Sequence, residues 1–258
     1  MKFMNDVQGQ KDERKVALKK VGIKDLKWPV KVMDKNQGVQ QTVGILELSV
    51  DLPSDVRGTH MSRFIEMANS MDSINPKNLE SLLTKLKTRL QANMAYCKVK
   101  FDYFIKKPSP ITGIVSPNNV ECSFEAEMGD KLNFLMRVDV PVSTLCPCSK
   151  EISEFGAHNQ RAVISMGIRM NRLIWIEELV QIAEDSASSP VYSLLKREDE
   201  KFVTEKAYLN PRFVEDAVRE VSIRLERLEG VTWYSVHVES IESIHNHNAF
   251  AYTEKEYD

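Results

Sequence analysis

Long apolar runs are missing from this sequence: no stretch approaches the roughly 18 to 20 residues that a membrane-spanning helix needs, and no secretion-type apolar core stands near the N-terminus. The expectation is a cytoplasmic protein with no membrane partner. Cysteine is scarce as well. Cys97, Cys122, Cys146 and Cys148 are four thiols in 258 residues, too few and too irregular for a secreted disulfide framework, so paired thiols point to metal binding or catalysis. Charge of one sign is also lacking. A net charge of −2 and a pI near 6.3 argue against a nucleic-acid partner. There is no P-loop sequence, so any nucleotide has to be held by another device. Low-complexity tracts are absent too, and 42% apolar residues in a chain of this length suffice to bury a core without metal or disulfide staples.

What is present has a rhythm. Residues 1–35 carry ten Lys or Arg against five Asp or Glu and read as a basic N-terminal arm, either simply solvated or bordering a site for an anion. "TVGILELSVDL" alternates as a half-buried strand. Thr59 is a candidate N-cap for a helix with Met61, Phe64, Ile65 and Ala68 at helical spacing, and a second helix from Pro76 carries Leu79, Leu82, Leu83, Leu86 and Leu90 on one face. Strands follow near 94–105 and 119–128.

The second half repeats that order. The strands "KLNFLMRVDVPV" and "RAVISMGIRM" precede a helix with Ile176, Leu179, Val180, Ala183 and Ala187 in register. A last helix is expected from Asn210 as N-cap and Pro211 at its first position, with Val214, Val218, Val221, Leu225 and Leu228 buried. The strands "VTWYSVHVES" and "NAFAYTE" close the chain. The pattern predicts an α+β protein of two modules, at 36–118 and 119–258, each an antiparallel sheet covered on one face by helices. A single larger α+β domain is the alternative.

"STLCPCSKEISEFGAHNQRA", residues 143–162, fits neither helical nor strand periodicity. Cys146 and Cys148 are too close for a C-x-x-C zinc knuckle or a thioredoxin-type redox pair, and Pro147 stiffens the turn between them. His158 lies within reach of Cys146 if the intervening residues turn or form a short helix. Thiolate and imidazole both suit zinc and neighbouring divalent metals. Glu200, Glu242, His245 and His247 are further candidate ligands. Three protein ligands would leave a position open for water; a buried corner with a satisfied histidine explains the same residue types.

The stretches "GIKDLKWPV", "GTHMSRF", "TLCPCSKEIS", "GAHNQR", "DEKFVTEKAY", "NPRFVEDAVR" and "ESIHNHNAFAY" together resemble the type IB GTP cyclohydrolase I family, over about residues 21–252. The resemblance implies tandem tunnelling-fold modules in a homotetramer with active sites at subunit interfaces. It implies conversion of GTP and water to 7,8-dihydroneopterin triphosphate and formate, the first step of folate biosynthesis, which also feeds queuosine-type pathways. On the matching positions, Cys146, His158 and Glu200 are the implied ligands of one divalent metal, be it zinc, manganese or iron. Cys148 stands beside the metal, His245 is the candidate for proton transfer, and Glu242 orients His245 or contributes to the metal region.

Glu215 matches the family's purine-anchoring carboxylate, although an ordinary surface pair with Arg219 at i+4 is the bland reading. His60, Ser62 and Arg63, at the start of a predicted helix, and Lys106, Lys107 and Lys150 are candidates for the triphosphate. The alternatives are another tunnelling-fold pterin or deazapurine enzyme, or a noncatalytic purine-binding module.

Overall fold

The strand and helix periodicities become nine strands and six helices among the described residues of a computed structural model, which covers residues 8–257. Residues 1–7 of the expected basic arm and Asp258 lie outside the described residues. Contacts divide the chain into two units. One runs to Phe101 and takes in Ser123–Leu135; the other comprises Asp102–Cys122 and everything from Met136. The boundary expected between residues 118 and 119 falls inside a strand, Val115–Met128, that contributes to both units.

In the first unit, β1 (Leu18–Asp34) and β2 (Gly38–Leu52) pair antiparallel, and β2 pairs with the first half of β3 (Ala95–Pro108). Residues 18–34, expected as part of an arm, are therefore sheet. Their lysines are spaced so that Val30 and Val32 still turn inward. Gly22 sits opposite Ser49, where a Cβ would come within 2.0 Å of the Leu48 carbonyl oxygen, so only glycine lets the strands close there. Leu46, Leu48 and Val50 of β2 alternate inward; α2 (Pro76–Leu90) packs on β2, and α1 (Met61–Asn69) packs on β1 and α2. Helix α2 begins as its sequence requires: the Asn75 side chain accepts from the Asn78 N–H at 2.9 Å and Pro76 takes the first position. Its leucines at 79, 82, 83 and 86 are all buried, each stabilising by about 1.5–3 kcal/mol. The N-cap position of α1 is His60 rather than Thr59, without a side-chain capping bond, and Thr59 is buried in the preceding loop.

The second unit holds the later part of β3 and the start of β4 (Val115–Met128), then β5 (Leu132–Leu145) from Met136 onward. It continues through α3 (Pro147–Ile152), β6 (Asn159–Met170), α4 (Ile176–Ser186) and β7 (Ser189–Pro190). Helices α5 (Arg197–Leu209) and α6 (Val214–Arg227) then precede β8 (Val231–Ser240) and β9 (Ala249–Glu256). Strands β5, β6, β8 and β9 pair antiparallel in that order. Alternate residues Val138, Val140 and Val142 on β5, Ile164, Met166 and Ile168 on β6, and Val236 and Val238 on β8 are buried, as are Leu179 and Ala183 of α4 and Val218, Val221 and Leu225 of α6.

The acidic residues Glu198, Asp199 and Glu200 open α5, with Asp199 0% exposed. One expectation changes in this unit. The last helix starts at Val214 instead of at Pro211. Asn210 ends α5, its side-chain amide donating to the Ala187 carbonyl at 2.9 Å, while the Asp216 carboxylate accepts from the Phe213 N–H at 3.0 Å and caps α6. An Asn-Pro pair punctuates a helix at either end, and here it serves the one that finishes.

Candidate active site

The register of β5 on β6 pairs Leu145 with Asn159, so the next residues out, Cys146 and His158, stand side by side where the strands end. The Cys146 N–H donates to the His158 carbonyl at 3.1 Å. Pro147 then turns the chain into the short helix α3, with Cys146 at its N-cap and the Ser149 N–H directed at the Cys146 sulfur at 3.5 Å. The Ser149 hydroxyl donates to the Cys146 carbonyl at 3.3 Å and accepts from the His158 N–H at 3.1 Å, bracing both sides of the corner. Cys146 is half-buried and Cys148 exposed.

The loop that follows β8 leaves from the same end of the sheet, since Ala162 pairs with Ser240 and the Ile241 N–H donates to the Arg161 carbonyl at 2.8 Å. It brings the His245 ring to 6.4 Å from that of His158, edge to face, and stacks His247 on His245 at 5.1 Å. Glu242 is half-buried on this loop. The His158 ring is engaged from the start of β6: His158 Nδ1 lies 2.8 Å from Gln160 Oε1.

Glu200 is not brought to this corner. It stands exposed in the first turn of α5, whereas the contact of α5 with α3 comes from its far end, where Lys150 Nζ donates to the Tyr208 carbonyl at 2.6 Å and lies over the Tyr208 ring. Eight residues of helix separate Glu200 from Tyr208, about 12 Å along the axis. Among the described residues, no group of three or more His, Cys, Asp or Glu side chains is close enough to hold a metal ion. The chemistry of the donors at this end of the sheet nevertheless suits a divalent ion: Cys146 and His158 are backbone neighbours, the His245 ring stands 6.4 Å from that of His158, and His158 has its Nδ1 already engaged.

Glu215 projects from the first turn of α6 and is exposed. Arg219 does not pair with it; the guanidinium lies 3.9 Å from Asp216 instead, so the bland i+4 explanation for Glu215 is removed. Glu215 lines a groove of about 610 Å³ with Arg219, Ser222, Tyr252 and Lys255. Glu226, also in its lining, accepts from Lys255 Nζ at 2.9 Å and from the Tyr234 hydroxyl at 3.1 Å, and these donors hold its carboxyl below the ordinary range.

The remaining candidates are scattered. His60, Ser62 and Arg63 belong to the other unit, where Arg63 donates to the Arg89 carbonyl at 3.3 Å. Lys106 is exposed, while Lys107 is turned inward onto Glu184, the Val191 carbonyl and the Tyr192 ring. Burial pushes the Lys107 ammonium down, with the Glu184 carboxylate opposing that shift.

Residues 4–251 match the family model described as type I GTP cyclohydrolase folE2. The chain belongs to that family. A GTP cyclohydrolase FolE2 of Caldicellulosiruptor saccharolyticus is 55% identical over 253 residues, covering 98% of this chain and 99% of that protein. The GTP cyclohydrolase FolE2 of Thermotoga maritima is likewise 55% identical, over 98% of this chain and 97% of its own. Solved structures of the uricases of Arthrobacter globiformis and Bacillus fastidious superpose with TM-scores of 0.55 over 93% and 95% of this chain. At 7% and 11% identity they show a shared fold alone.

For a GTP cyclohydrolase family member, three residues near the corner escape a reading by residue type. Gln160 and Ser149 lie inside motif segments yet carry no ligand-like chemistry, and Thr144 looks like any strand threonine. Register is the signal that could find them, because Thr144 and Gln160 are direct partners across β5 and β6.

Proposed function

We propose that this chain is a metal-dependent GTP cyclohydrolase of the type IB class, hydrolysing GTP to 7,8-dihydroneopterin triphosphate and formate as the first step of folate biosynthesis. Its product is also suited to queuosine-type pathways. The observation that carries the reading is 55% identity to GTP cyclohydrolases over nearly the whole of both chains, and the placing of Cys146, His158 and the His245 loop at one end of the sheet supports it. The fold shared with uricases supports a tandem tunnelling-fold architecture. The separation of Glu200 from the Cys146 corner supports a homotetramer with active sites between subunits, in which another copy supplies that carboxylate. We place the enzyme in the cytoplasm; no helix among the described residues is long and apolar enough to cross a membrane.

The reaction adds water at C8 of guanine, opens the imidazole ring, releases formate, rearranges the ribose and closes a six-membered ring. A divalent ion, held by Cys146, His158 and Glu200, would lower the pKa of water and supply a nucleophile near neutral pH. Around it, Glu215 accepts two parallel hydrogen bonds from purine N–H groups and fixes the ring. His245, on an exposed loop next to His158, carries protons to and from the ring nitrogens as the ring opens, with Glu242 orienting it and Cys148 lining the site. Ser62, His60, Arg63 and Lys150 offer positive charge or donors to the triphosphate.

Purified protein freed of metal by chelation is expected to release no formate and yield no fluorescent pterin after oxidation and dephosphorylation. Adding back zinc, manganese or ferrous iron singly restores both products with at least one of them. Protein that binds GTP after every add-back yet yields neither product would sink the proposal. Glu215→Gln is expected to raise KM for GTP by at least about tenfold, because the amide presents a donor where purine N–H groups need an acceptor. An unchanged KM would return Glu215 to the surface.

A further inference from the structure

We propose that Gln160 is a positioning residue that sets the tautomer of His158, holding the proton on Nδ1 and leaving Nε2 as the open lone pair. The inference deepens the proposed function, since it takes His158 as a ligand of that site. Its basis is a hydrogen-bonded chain that runs inward from the corner. His158 Nδ1 and Gln160 Oε1 are 2.8 Å apart. The same oxygen accepts from the Ser243 hydroxyl at 3.4 Å, while Gln160 Nε2 donates to Thr144 Oγ1 at 3.3 Å. Thr144 is 1% exposed and its hydroxyl lies 3.5 Å from that of Ser240, which is 2% exposed.

Each link constrains the next. Thr144 and Gln160 are cross-strand partners, and the Gln160 amide stands with its nitrogen toward the Thr144 hydroxyl and its oxygen toward the histidine. An amide oxygen can only accept; the Nδ1 atom it meets must therefore carry the hydrogen, and a neutral imidazole with Nδ1–H has its acceptor at Nε2. A free imidazole in water prefers the opposite arrangement, with the proton on Nε2, which would close that nitrogen to a metal. Ser243 ties the same oxygen to the loop carrying His245, so one side chain of β6 sets the His158 ring and steadies the neighbouring histidine's loop. Outer partners of this kind raise ligand affinity by fixing ring orientation and proton position.

The test uses the full-length, metal-free protein labelled with ¹⁵N-histidine in alkaline buffer. The chain has five histidines, so the ring signals of His158 are assigned by their loss in His158→Asn. Wild type and Gln160→Glu, which keeps an acceptor, are expected to show His158 as the Nδ1–H tautomer. Gln160→Met, similar in length but without the acceptor, shifts it to Nε2–H. Zinc affinity, measured by competition with a chelator, falls about 10- to 100-fold in Gln160→Met and changes little in Gln160→Glu. An Nε2–H tautomer in the wild type, or one that ignores Gln160→Met, overturns the proposal. A tautomer that follows Gln160 while zinc affinity stays constant upholds the positioning role and instead removes His158 from the ligand set.

Discussion

Replacing Cys146 with alanine is expected to cut formate release and pterin formation at least about 100-fold, beyond the 10- to 100-fold range seen when only an outer partner of a metal ligand is lost. The fold should survive, because almost everything Cys146 does for the structure is done by its backbone. Its N–H holds the His158 carbonyl, and its own carbonyl accepts from the Lys150 N–H and the Ser149 hydroxyl. Only the 3.5 Å contact from the Ser149 N–H to sulfur disappears. Stability should thus stay within about 0.5 kcal/mol of wild type by denaturant titration. Metal content measured alongside activity separates the cases: a variant that folds and turns over near normally would take Cys146 out of the mechanism.

The second large effect falls on stability. Asp199 is fully enclosed, and its Oδ1 accepts from the Ile111 and Thr112 N–H groups at 2.8 and 2.9 Å, while Oδ2 accepts from the Thr112 hydroxyl at 2.7 Å and the Lys196 N–H at 2.9 Å. Burial pushes the carboxyl up. The Thr112 and Lys196 N–H groups, the Thr112 hydroxyl and the Ile111 N–H outweigh it and hold the carboxyl well below the usual carboxylate range. Asp199→Asn must aim an NH₂ at one of these two donor sets, stranding at least one backbone N–H. Thermal melting is expected several degrees below wild type.

The sign of the pH effect follows from the depressed pKa. The stabilisation is present in full above the unfolded-state value of about 3.9 and fades as pH falls from there through the lower folded-state value. Melting curves taken through that acid range should show the gap between wild type and Asp199→Asn narrowing. A gap that stays constant with pH would mean that the carboxylate's charge is not what the site uses.

Much of the fold is legible in the sequence because burial has a period. The leucines of α2 and the alternating valines of β5 and β8 lie where spacing puts them. Helix α5 is not legible in that way. Its apolar residues are few, and what anchors it is one acidic side chain answering donors at 111 and 112, some 87 residues earlier, which no local pattern records. The start of α6 fails for a related reason, since Asn210 spends its side chain on the carbonyls of Ala187 and Ser188 and not on the next helix.

The candidate site divides similarly. Cys146 and His158 are legible as chemistry, and only strand register explains why eleven intervening residues bring them together. Glu215 needed the structure to lose its supposed partner, Arg219, to Asp216. Gln160 and Thr144 become visible once their strands are aligned, because their importance lies in whom they face.

Helix α5 has one more consequence. Asp199 rivets its first turn to the 111–112 loop, and Glu200 is the very next residue. The backbone beneath that exposed carboxylate has already surrendered its freedom during folding, so a ligand or neighbouring subunit that engages Glu200 has only the side-chain rotamers left to order. The buried acid thus makes its exposed neighbour a rigid outstretched hand.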